Sequence, residues 1–465
     1  MASVASVVAA VILTAAAVAS AQPAPAQPVP SQTSPEAPAP GAAANSPAAP
    51  AQTPTPARRP PVAGRILTLE EAVEIAIEQQ PQIQARLSDY AAARYRVDQA
   101  LAPLLPQVTG SASTTRSQSV VLTTPGPSVT TRRDFGDTFQ ARVALSQLLF
   151  DFGKTLAATE AARKLQEVAL EDVELQRQLI ALAVKEAYTN MLFAQRLIRV
   201  NEQALQRAEL NLKSARGFFE VGTRPRSDVA RAEVDVANAR VDVIRARNAE
   251  RLARVALNTA MGIDVDTPTQ IQDNLVYEPV ALDRAALRAE ALRLRPEMRQ
   301  ARLRAQAAQA QQRQAFRSFF PDITAGGSYG GTGTDLAEVW DATLSLTWPI
   351  FDGGGRLARY REARANLEAA EARVRATELD IIREVEQAQL TVAEAEERIQ
   401  AAQTAVASAQ ENFRLAQGRF DAGVGTILEL TDAQLALTQA QNLEAQALAD
   451  YRIALYRLDR ARGRR

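Results

Sequence analysis

Neither cysteine nor histidine occurs anywhere in this chain of 465 residues. Without cysteine there are no disulfides, no thiolate metal sites and no lipid attached to an N-terminal cysteine. Without histidine, serine–histidine catalytic triads and most zinc sites are excluded. The 53 basic and 53 acidic residues balance, which gives no general attraction to nucleic acid. We therefore expect no enzymatic activity, no cofactor and no nucleic-acid partner.

Long apolar runs are equally scarce. Residues 4–18 form a short one, and an Ala-Ser-Ala cleavage site ends at Ala21, so we predict a signal peptide over residues 1–21. The alternative is a single membrane anchor, but the run is short for a membrane span. Residues 22–63 are rich in alanine and proline and are predicted to be a disordered linker. No other segment has about 18 uncharged apolar residues, which excludes a helical membrane bundle.

The rest of the chain contains an internal duplication. Residues 149–153 (LFDFG) match residues 350–354 (IFDGG), and residues 219–222 (FEVG) match residues 420–423 (FDAG), in both cases 201 residues apart. A proline-free run rich in Ala, Leu, Glu, Gln and Arg lies between the two landmarks of each copy. At ~1.5 Å per residue, each run is a helix of about 100 Å. Compact globular domains do not need two rods of this length.

A second displacement, of 215 residues, relates residues 67–108 to residues 282–323 and places Pro81 on Pro296. Both copies contain a short helix, a proline, a helix of about 22 residues and a polar alternating segment. The displacement then falls from 215 to 201, so the first copy carries 14 extra residues. We predict that they form a loop over residues 117–133, which contains a Pro-Gly-Pro sequence.

These patterns predict two repeats joined by a connector. The segments are a first repeat at 64–261, an equatorial connector at 262–295 and a second repeat at 296–463. The first repeat holds strands at about 106–117 and 135–150, a long helix at about 153–221 and a returning helix at about 226–261. The second holds strands at about 321–332 and 338–350, a long helix at about 356–422 and a returning helix at about 427–462. Apolar residues at alternating spacings of three and four predict that each long helix packs on its returning helix as an antiparallel hairpin.

The predicted strands alternate apolar and polar residues, as residues 341–348 do. Such segments fit either a half-buried soluble hairpin or the strands of a transmembrane barrel. Aromatic residues cluster where each strand meets a helix, which is typical of a membrane-interface girdle. Four strands cannot close a membrane barrel, since about eight is the minimum and an open edge is forbidden in lipid. Membrane-spanning strands would therefore require an oligomer that shares one barrel.

The duplicated unit resembles the TolC family of outer membrane efflux proteins over roughly residues 67–463. The resemblance rests on the paired landmarks at 149–153 and 350–354 and on the paired tips at 219–222 and 420–423. It implies a mainly α chain with a small β part, made of two tandem structural repeats. It also implies a homotrimer in which four strands from each chain form one twelve-stranded transmembrane β-barrel, continued in the periplasm by a long α-helical barrel.

The same resemblance implies a function, a passive exit duct in the cell outer membrane with a periplasmic extension. An inner membrane pump of the RND, ABC or MFS type and a periplasmic adaptor protein would deliver the substrate, either in drug efflux or in type I protein export. Outer membrane lipid would surround the barrel. The alternative is a periplasmic coiled-coil scaffold or adaptor without a pore. An adaptor has one helical hairpin flanked by β-rich segments, whereas this unit occurs twice.

The resemblance also assigns candidate site residues. The strand-to-helix exit motif comprises Phe150, Asp151, Gly153, Phe351, Asp352 and Gly354. The tips of the helical hairpins, expected to gate the entrance and to dock the adaptor, comprise Gly222, Arg224, Asp228, Phe420, Gly423 and Gly425. Glu429 and Asp432 share a helix face and would form acidic rings at the entrance of a trimer. The alternative is that both acids only complement the positive end of their helix.

Some family members close the entrance with a tyrosine and an arginine of the second tip, which bond to an aspartate of the first. Asp228 matches that aspartate, but Phe420 stands at the tyrosine position and Gly425 at the arginine position. The hydroxyl and the guanidinium are therefore absent from the second tip. Arg224 and Arg226 of the first tip would either pair with the acidic residues across the mouth or be solvated.

Overall fold

The computed structural model describes residues 64–123, 130–280 and 283–465. The predicted signal peptide, the predicted linker and the Pro-Gly-Pro sequence of the predicted loop lie outside the described residues. None of the helices in the described ranges carries an apolar stretch of membrane-spanning length.

The first repeat begins with a short strand and two short helices. In chain order its elements are β1 (Ile66–Leu67), the first short helix (Leu69–Gln79), the second short helix (Pro81–Leu101), β2 (Gln107–Thr123), β3 (Thr130–Phe150), the first long helix (Lys154–Glu220) and the first returning helix (Arg226–Met261). Thr68 and Glu71 form a capping box at the start of the first short helix. Pro81 ends that helix because it forces Gln80 into the extended region.

The second repeat follows the same order. Its elements, with those of the connector, are β4 (Gln270–Ile271), the third short helix (Arg284–Leu294), the fourth short helix (Pro296–Arg317), β5 (Asp322–Gly333), β6 (Ala337–Thr347), the second long helix (Gly355–Asp421) and the second returning helix (Ile427–Ala461). β6 ends three residues before its predicted end at 350, because Pro349 lacks the N–H group that a ladder requires. Each long helix has 67 residues and is therefore about 100 Å long. The chain is mainly α with a small β part, as predicted.

β2, β3, β5 and β6 form one antiparallel sheet in that order. Since successive side chains of a strand point to opposite faces, the pairing separates an apolar face from a polar one. In β3, Phe139, Val143 and Leu145 lie on the apolar face and Gln140 and Arg142 on the polar face. Among the described residues β2 pairs only with β3 and β6 only with β5, so both outer strands keep an unpaired edge.

The prediction of a loop over residues 117–133 is wrong. β2 continues to Thr123 and β3 starts at Thr130, and these two residues pair with each other. The segment is rich in Ser, Thr and Val, and the threonine and valine preference for extended backbone carries the strands up to the Pro-Gly-Pro sequence. β5 pairs with β3 only from Phe139 onward. The extra residues of the first copy therefore lengthen a two-stranded hairpin beyond the sheet.

Each long helix ends at a glycine in the left-handed region. The φ angles of Gly222 and Gly423 are +75° and +76°, which a residue with a Cβ rarely adopts. Pro225 and Thr426 then precede the returning helices, and the Thr426 hydroxyl accepts a hydrogen bond from the Glu429 backbone N–H. The two predicted turns are thus found at the same positions of both repeats.

Layers of small apolar side chains join each long helix to its returning helix. Ala208 and Ala215 are buried on the first long helix, and Ala232 and Val236 on the first returning helix. This is the packing that alternating spacings of three and four predict. The alternating spacing of three and four runs through residues 205, 208, 212, 215 and 219, but it fails at Phe219, which is exposed, because its neighbour Phe218 turns inward at the tip.

Three ion pairs join the first long helix to the first returning helix along the first hairpin. We call them the charged ladder. The pairs are Arg216–Glu233 at 2.7 Å, Arg240–Glu209 at 3.2 Å and Arg247–Glu202 at 2.7 Å. They recur every seven residues, or two helical turns, and therefore stack along one flank. The equivalent positions of the second hairpin, 201 residues on, are Gln403, Gln410, Gln417, Gln434, Gln441 and Leu448. The second hairpin thus has the same seam without the charges.

The connector contacts both repeats. Its strand β4 pairs in parallel with β1 of the first repeat. The hydroxyl of buried Tyr188, on the first long helix, shares its one hydrogen between the carbonyl oxygens of Leu67 at 3.1 Å and Gln272 at 2.9 Å. Tyr451, on the second returning helix, donates to the Glu278 carbonyl at 2.7 Å. Burial raises the pKa of Tyr188 to about 12, so its hydroxyl remains a donor. Two tyrosines therefore hold the connector against both repeats.

Candidate functional site

The side chain of Arg224 joins the tips of the two hairpins. Its Nη2 donates to the Gly425 carbonyl oxygen at 2.6 Å, and its Nη1 lies 3.7 Å from Oδ2 of Asp228. The guanidinium also lies over the Phe420 ring, 4.6 Å from the centroid. The side chains of Arg224 and Asp228 are only 12% and 16% exposed, so water screens this pair weakly. A guanidinium of the first tip therefore holds two groups of the second.

Phe420 is the centre of a small apolar cluster at the tips. It is fully buried, packs with Ile427 and Leu430, and meets the ring of Phe218 edge to face at 5.7 Å. Gly425 allows the second turn to close, since a Cβ there would lie 3.0 Å from backbone atoms of the preceding helix. The cluster thus carries the ring over which the Arg224 guanidinium lies.

Arg224 departs from both sequence-based expectations, whereas Arg226 follows one of them, since it is solvated. Within one chain Arg224 pairs with neither Glu429 nor Asp432, and it is not solvated, because it contacts Asp228 and the second tip. Arg226 is exposed and forms no ion pair with the residues that the structure describes. Position 425 has no guanidinium, and the Arg224 guanidinium of the first tip contacts the backbone there.

Glu429 and Asp432 lie one turn apart near the start of the second returning helix, and both are exposed. The Glu429 carboxylate lies 3.7 Å from Nη2 of Arg419. Asp432 has no ion pair within the described ranges. The two acids share a face, as the sequence predicted, but only Asp432 keeps an uncompensated charge.

The first strand-to-helix junction is organised by Asp151, which is 3% exposed. Its carboxylate accepts from the backbone N–H groups of Gly153 at 2.9 Å and Thr155 at 2.6 Å. Burial alone would raise the pKa of Asp151, but hydrogen bonds from Thr155 and Gly153 and the charge of Lys154 outweigh it, so the pKa is lowered. Lys154 also reaches Asp322 at the start of β5, at 2.5 Å. These contacts fix the angle between β3 and the first long helix.

The second junction repeats this arrangement with a more exposed carboxylate. Asp352 accepts from the Arg356 backbone N–H at 2.9 Å and pairs with its Nε at 3.1 Å. Gly354 precedes the second long helix in the left-handed region, as Gly153 precedes the first. Phe351 is 86% exposed. Phe351 therefore offers a large apolar surface at this level, next to exposed Ile350 and Trp348.

Aromatic rings of both repeats meet at this level. Phe152 lies between Phe150 at 4.8 Å and Phe320 at 5.3 Å, and the Trp348 indole N–H donates to the Phe319 carbonyl. All five side chains are more than a third exposed. Together they form a band of rings where the sheet ends and the long helices begin.

Comparison with known proteins assigns the chain to a family. The profile of the family described as outer membrane efflux protein matches residues 72–263 and 287–464, one match for each repeat. The chain belongs to the outer membrane efflux protein family. The two matches begin 215 residues apart and end 201 residues apart, which are the two displacements found in the sequence.

Individual relatives of this outer membrane efflux protein cover most of its length. It is 24% identical to the pyoverdine export outer membrane protein OpmQ of Pseudomonas putida, over 81% of this chain and 82% of that one. It is 26% identical to the alkaline protease secretion protein AprF of Pseudomonas aeruginosa, over 84% and 83%. A crystal structure of a membrane protein from Pseudomonas aeruginosa shares the fold, with a TM-score of 0.74 and 24% identity over 85% of this chain and 90% of that one.

Family membership decides between the two functions left open by the sequence. This outer membrane efflux protein is located in the outer membrane and belongs to a family of transport channels, so the predicted exit duct is confirmed. The alternative, a periplasmic scaffold or adaptor without a pore, is wrong. The individual roles of the tip, entrance and junction residues stay predictions.

Replacing Asp151 with alanine is expected to lower the free energy of unfolding by about 1–2 kcal/mol, since two backbone N–H groups lose their acceptor. The pKa of Asp151 is lowered in the folded state, so this contribution is complete at neutral pH. It is lost as the pH falls below about 4, where the unfolded carboxylate takes up a proton. Denaturant unfolding of the detergent-solubilised protein at about pH 7 and about pH 3 measures the difference.

The matched control is Asp352→Ala at the second junction. Its carboxylate is more exposed, so water compensates for much of its contact with the backbone and side chain of Arg356, and the expected loss is smaller. The two variants could lose equal free energy of unfolding, or the loss at Asp151 could stay the same in acid. Either result would contradict the role of the Asp151 carboxylate as acceptor for the two backbone N–H groups.

Proposed function

We propose that three copies of this chain form one passive exit duct, which crosses the outer membrane and continues through the periplasm. The observation that carries the proposal is the four-stranded sheet, which has two unpaired edges within the described residues. Lipid cannot satisfy unpaired backbone groups, so a membrane sheet must close. Four strands are too few for closure, whereas three copies supply twelve.

The two faces of the sheet fit this arrangement. One face carries exposed apolar side chains that would contact lipid: Val108, Phe139, Val143, Leu145, Tyr329, Trp340, Leu344 and Leu346. The charged residues of this face, Arg116, Asp137 and Glu338, lie toward the end of the sheet away from the helices. The other face carries serines and threonines and would line the lumen. Arg142 and Asp341 lie on this face at 3.9 Å across β5, and the Ser328 hydroxyl of β5 also donates to Asp341. The band of rings at the junctions would then mark the periplasmic boundary of the lipid.

The tips would form the periplasmic entrance. Arg224 would hold the two hairpins of each chain together in the closed state, and Glu429 and Asp432 would face the opening. The same tips would dock a periplasmic adaptor, which couples the duct to an inner membrane pump of the RND, ABC or MFS type. The longer hairpin of β2 and β3 would project on the outer side of the cell.

The cargo would be set mainly by the pump. One relative is named for export of pyoverdine and another for secretion of alkaline protease. Both drug or metabolite efflux and type I protein export are therefore compatible with a duct of this fold.

Fractionation followed by native mass measurement in mild detergent tests the proposal. We expect the chain in the outer membrane fraction with the mass of three mature chains. Leu344→Arg, on the apolar face, should reduce the amount of assembled trimer, because arginine near the bilayer midplane of a barrel costs about 2–4 kcal/mol.

Ser345→Arg is the matched control, since the next residue of the same strand lies on the polar face. It should assemble like the wild type. A soluble monomer would overturn the proposal, and equal loss in the two variants would overturn the assignment of the faces.

A further inference from the structure

The start of the first long helix presents a different side below each face of the sheet. Lys154 reaches Asp322 at 2.5 Å, and Asp322 lies on the polar face of β5 together with Ser328. Arg163 follows Lys154 by nine residues, which is about two and a half helical turns, so it lies on the opposite side of the helix. Arg163 is exposed and therefore lies below the apolar face. The band of rings lies on the same side, because Trp348 continues the apolar alternation of β6.

Further arginines lie directly beneath the band of rings. The Phe316 ring packs against Phe320 of the band at 5.9 Å and against Tyr360 of the second long helix at 6.0 Å. Arg313 lies one turn from Phe316 and Arg364 one turn from Tyr360, in both cases on the same side of the helix and farther from the sheet. Both arginines are exposed. We call this group the basic collar, and its members are Arg163, Arg313, Arg317, Arg361 and Arg364.

Two carboxylates partly compensate the basic collar. Glu160 pairs with Arg313 at 2.8 Å, and Glu368 pairs with Arg364 at 3.1 Å. All four side chains are more than 40% exposed, so water weakens both pairs. Both arginines therefore remain available to another anion.

The other three arginines of the collar keep an uncompensated charge. Arg317 donates to the Gly153 carbonyl oxygen at 2.7 Å, which is a neutral acceptor. Arg163 and Arg361 form no ion pair with the residues that the structure describes. The collar thus sets five guanidinium groups against two carboxylates, an excess of three positive charges in each chain.

The basic collar lies at the depth of lipid headgroups, if the band of rings marks the edge of the hydrocarbon. Arg163 and Arg364 each follow the first residue of a long helix by nine residues, about 14 Å, and Arg313 and Arg317 lie within about 7 Å of the end of their helix. Side chains of an α-helix lean toward its N-terminus, which on both long helices is the end at the sheet. An extended arginine there brings its guanidinium close to the headgroup layer, which is about 5–8 Å thick.

We propose that the basic collar binds the headgroups of anionic phospholipids in the periplasmic leaflet of the outer membrane. A guanidinium donates two parallel hydrogen bonds to a phosphate, which suits a lipid phosphodiester. The phosphate of a zwitterionic lipid is balanced by its own ammonium group, whereas phosphatidylglycerol keeps a net negative charge. The excess charge of the collar therefore selects the anionic lipid. This inference rests on the proposed function, because it requires the sheet to lie in the membrane.

Electron paramagnetic resonance of spin-labelled lipids tests the inference on the full protein. Purified protein is reconstituted in phosphatidylcholine vesicles that contain a trace of spin-labelled phosphatidylglycerol or of spin-labelled phosphatidylcholine. The spectra separate lipid immobilised on the protein from free lipid, and their ratio gives the preference for each headgroup. We expect a preference of about fivefold for phosphatidylglycerol in 0.1 M salt, the contribution of one arginine near a membrane surface. It should fall below about twofold in 1 M salt, since the Debye length drops from about 10 Å to about 3 Å.

Matched double variants locate the preference on the protein surface. Arg163→Gln with Arg364→Gln should reduce it to about twofold or less. Arg302→Gln with Arg375→Gln is the control, because it removes the same charge from exposed arginines that lie about 20–30 Å from the sheet, beyond the headgroup layer. The control should keep the preference of the wild type.

The possible outcomes separate this inference from the proposed function. Immobilised lipid without a preference for phosphatidylglycerol, or equal loss in the two double variants, overturns the inference and leaves the membrane-spanning duct in place. No immobilised lipid of either kind overturns both. Inorganic phosphate at about 50 mM and constant ionic strength should not remove the preference. If it does, the collar binds free phosphate, and the assignment to lipid is wrong.

Discussion

Replacing Arg224 with alanine is expected to shift the periplasmic entrance toward its open state. The variant loses the hydrogen bond to the Gly425 carbonyl, the ion pair with Asp228 and the contact with the Phe420 ring. A hydrogen bond that involves a charged group contributes about 1.5–3 kcal/mol, and every 1.4 kcal/mol changes an equilibrium tenfold. We therefore expect the open population to rise about 10- to 100-fold, measured as open time in single-channel recordings.

Two neighbouring substitutions test whether the effect comes from the contact itself. Arg226→Ala removes an exposed arginine of the same tip that forms no ion pair with described residues, and it should leave the recordings unchanged. Arg224→Lys keeps the charge but not the planar guanidinium over the ring, and it should give an intermediate open time. If Arg224→Ala behaves like Arg226→Ala, the contact does not hold the entrance closed.

Replacing both entrance acids, as Glu429→Gln with Asp432→Asn, is expected to abolish most of the cation preference of the channel. Six carboxylates around a narrow opening concentrate cations, and low-dielectric walls strengthen their field. Acids at a helix start contribute only ~0.3–1 kcal/mol each to stability, so the variant should still fold and assemble. The reversal potential in a salt gradient and block by multivalent cations from the periplasmic side both measure the loss.

The single variants should not be equal. Arg419 lies 3.7 Å from the Glu429 carboxylate, whereas Asp432 has no such partner within the described ranges, so Asp432→Asn should have the larger effect. Arg419→Gln should raise the cation preference. Glu397→Gln, an exposed acid on the second long helix away from the tip, is the control for total charge. An unchanged reversal potential in the double variant would leave both acids as helix-start residues only.

The sequence predicts the helical framework well because its signals are local and occur twice. The glycines at 222 and 423 require a left-handed backbone, and the prolines at 81 and 296 end the preceding helices, so the boundaries can be placed without knowing the packing. The loop at 117–133 was mispredicted because a Pro-Gly-Pro sequence is a strong turn signal, while cross-strand pairing is not local.

The contact at the tips could be predicted only in part. Asp228 and Phe420 were identified by the resemblance, and the missing guanidinium at position 425 was visible in the sequence. The contact made by Arg224 could not be identified from the sequence, because Arg224 bonds to a backbone carbonyl, and a carbonyl oxygen is present at every residue. Asn211 of the first long helix, which donates to Gln434 of the second returning helix, was also missed. Asn211 interrupts a stripe of buried alanines at 204, 208 and 215, and that interruption is the signal that could have found it.

The charged ladder has a consequence for how the chain finds its fold. Two hairpins of similar length and similar apolar seam in one polypeptide permit a mispaired fold, in which the second returning helix occupies the hairpin face of the first long helix instead of the neighbouring face that it contacts in the native structure. In that arrangement Glu202, Glu209 and Arg216 would meet Leu448, Gln441 and Gln434, and three ion pairs of ~0.2–1 kcal/mol each would be lost. The ladder therefore makes the two hairpins chemically distinguishable, and correct partnering does not depend on which one emerges first.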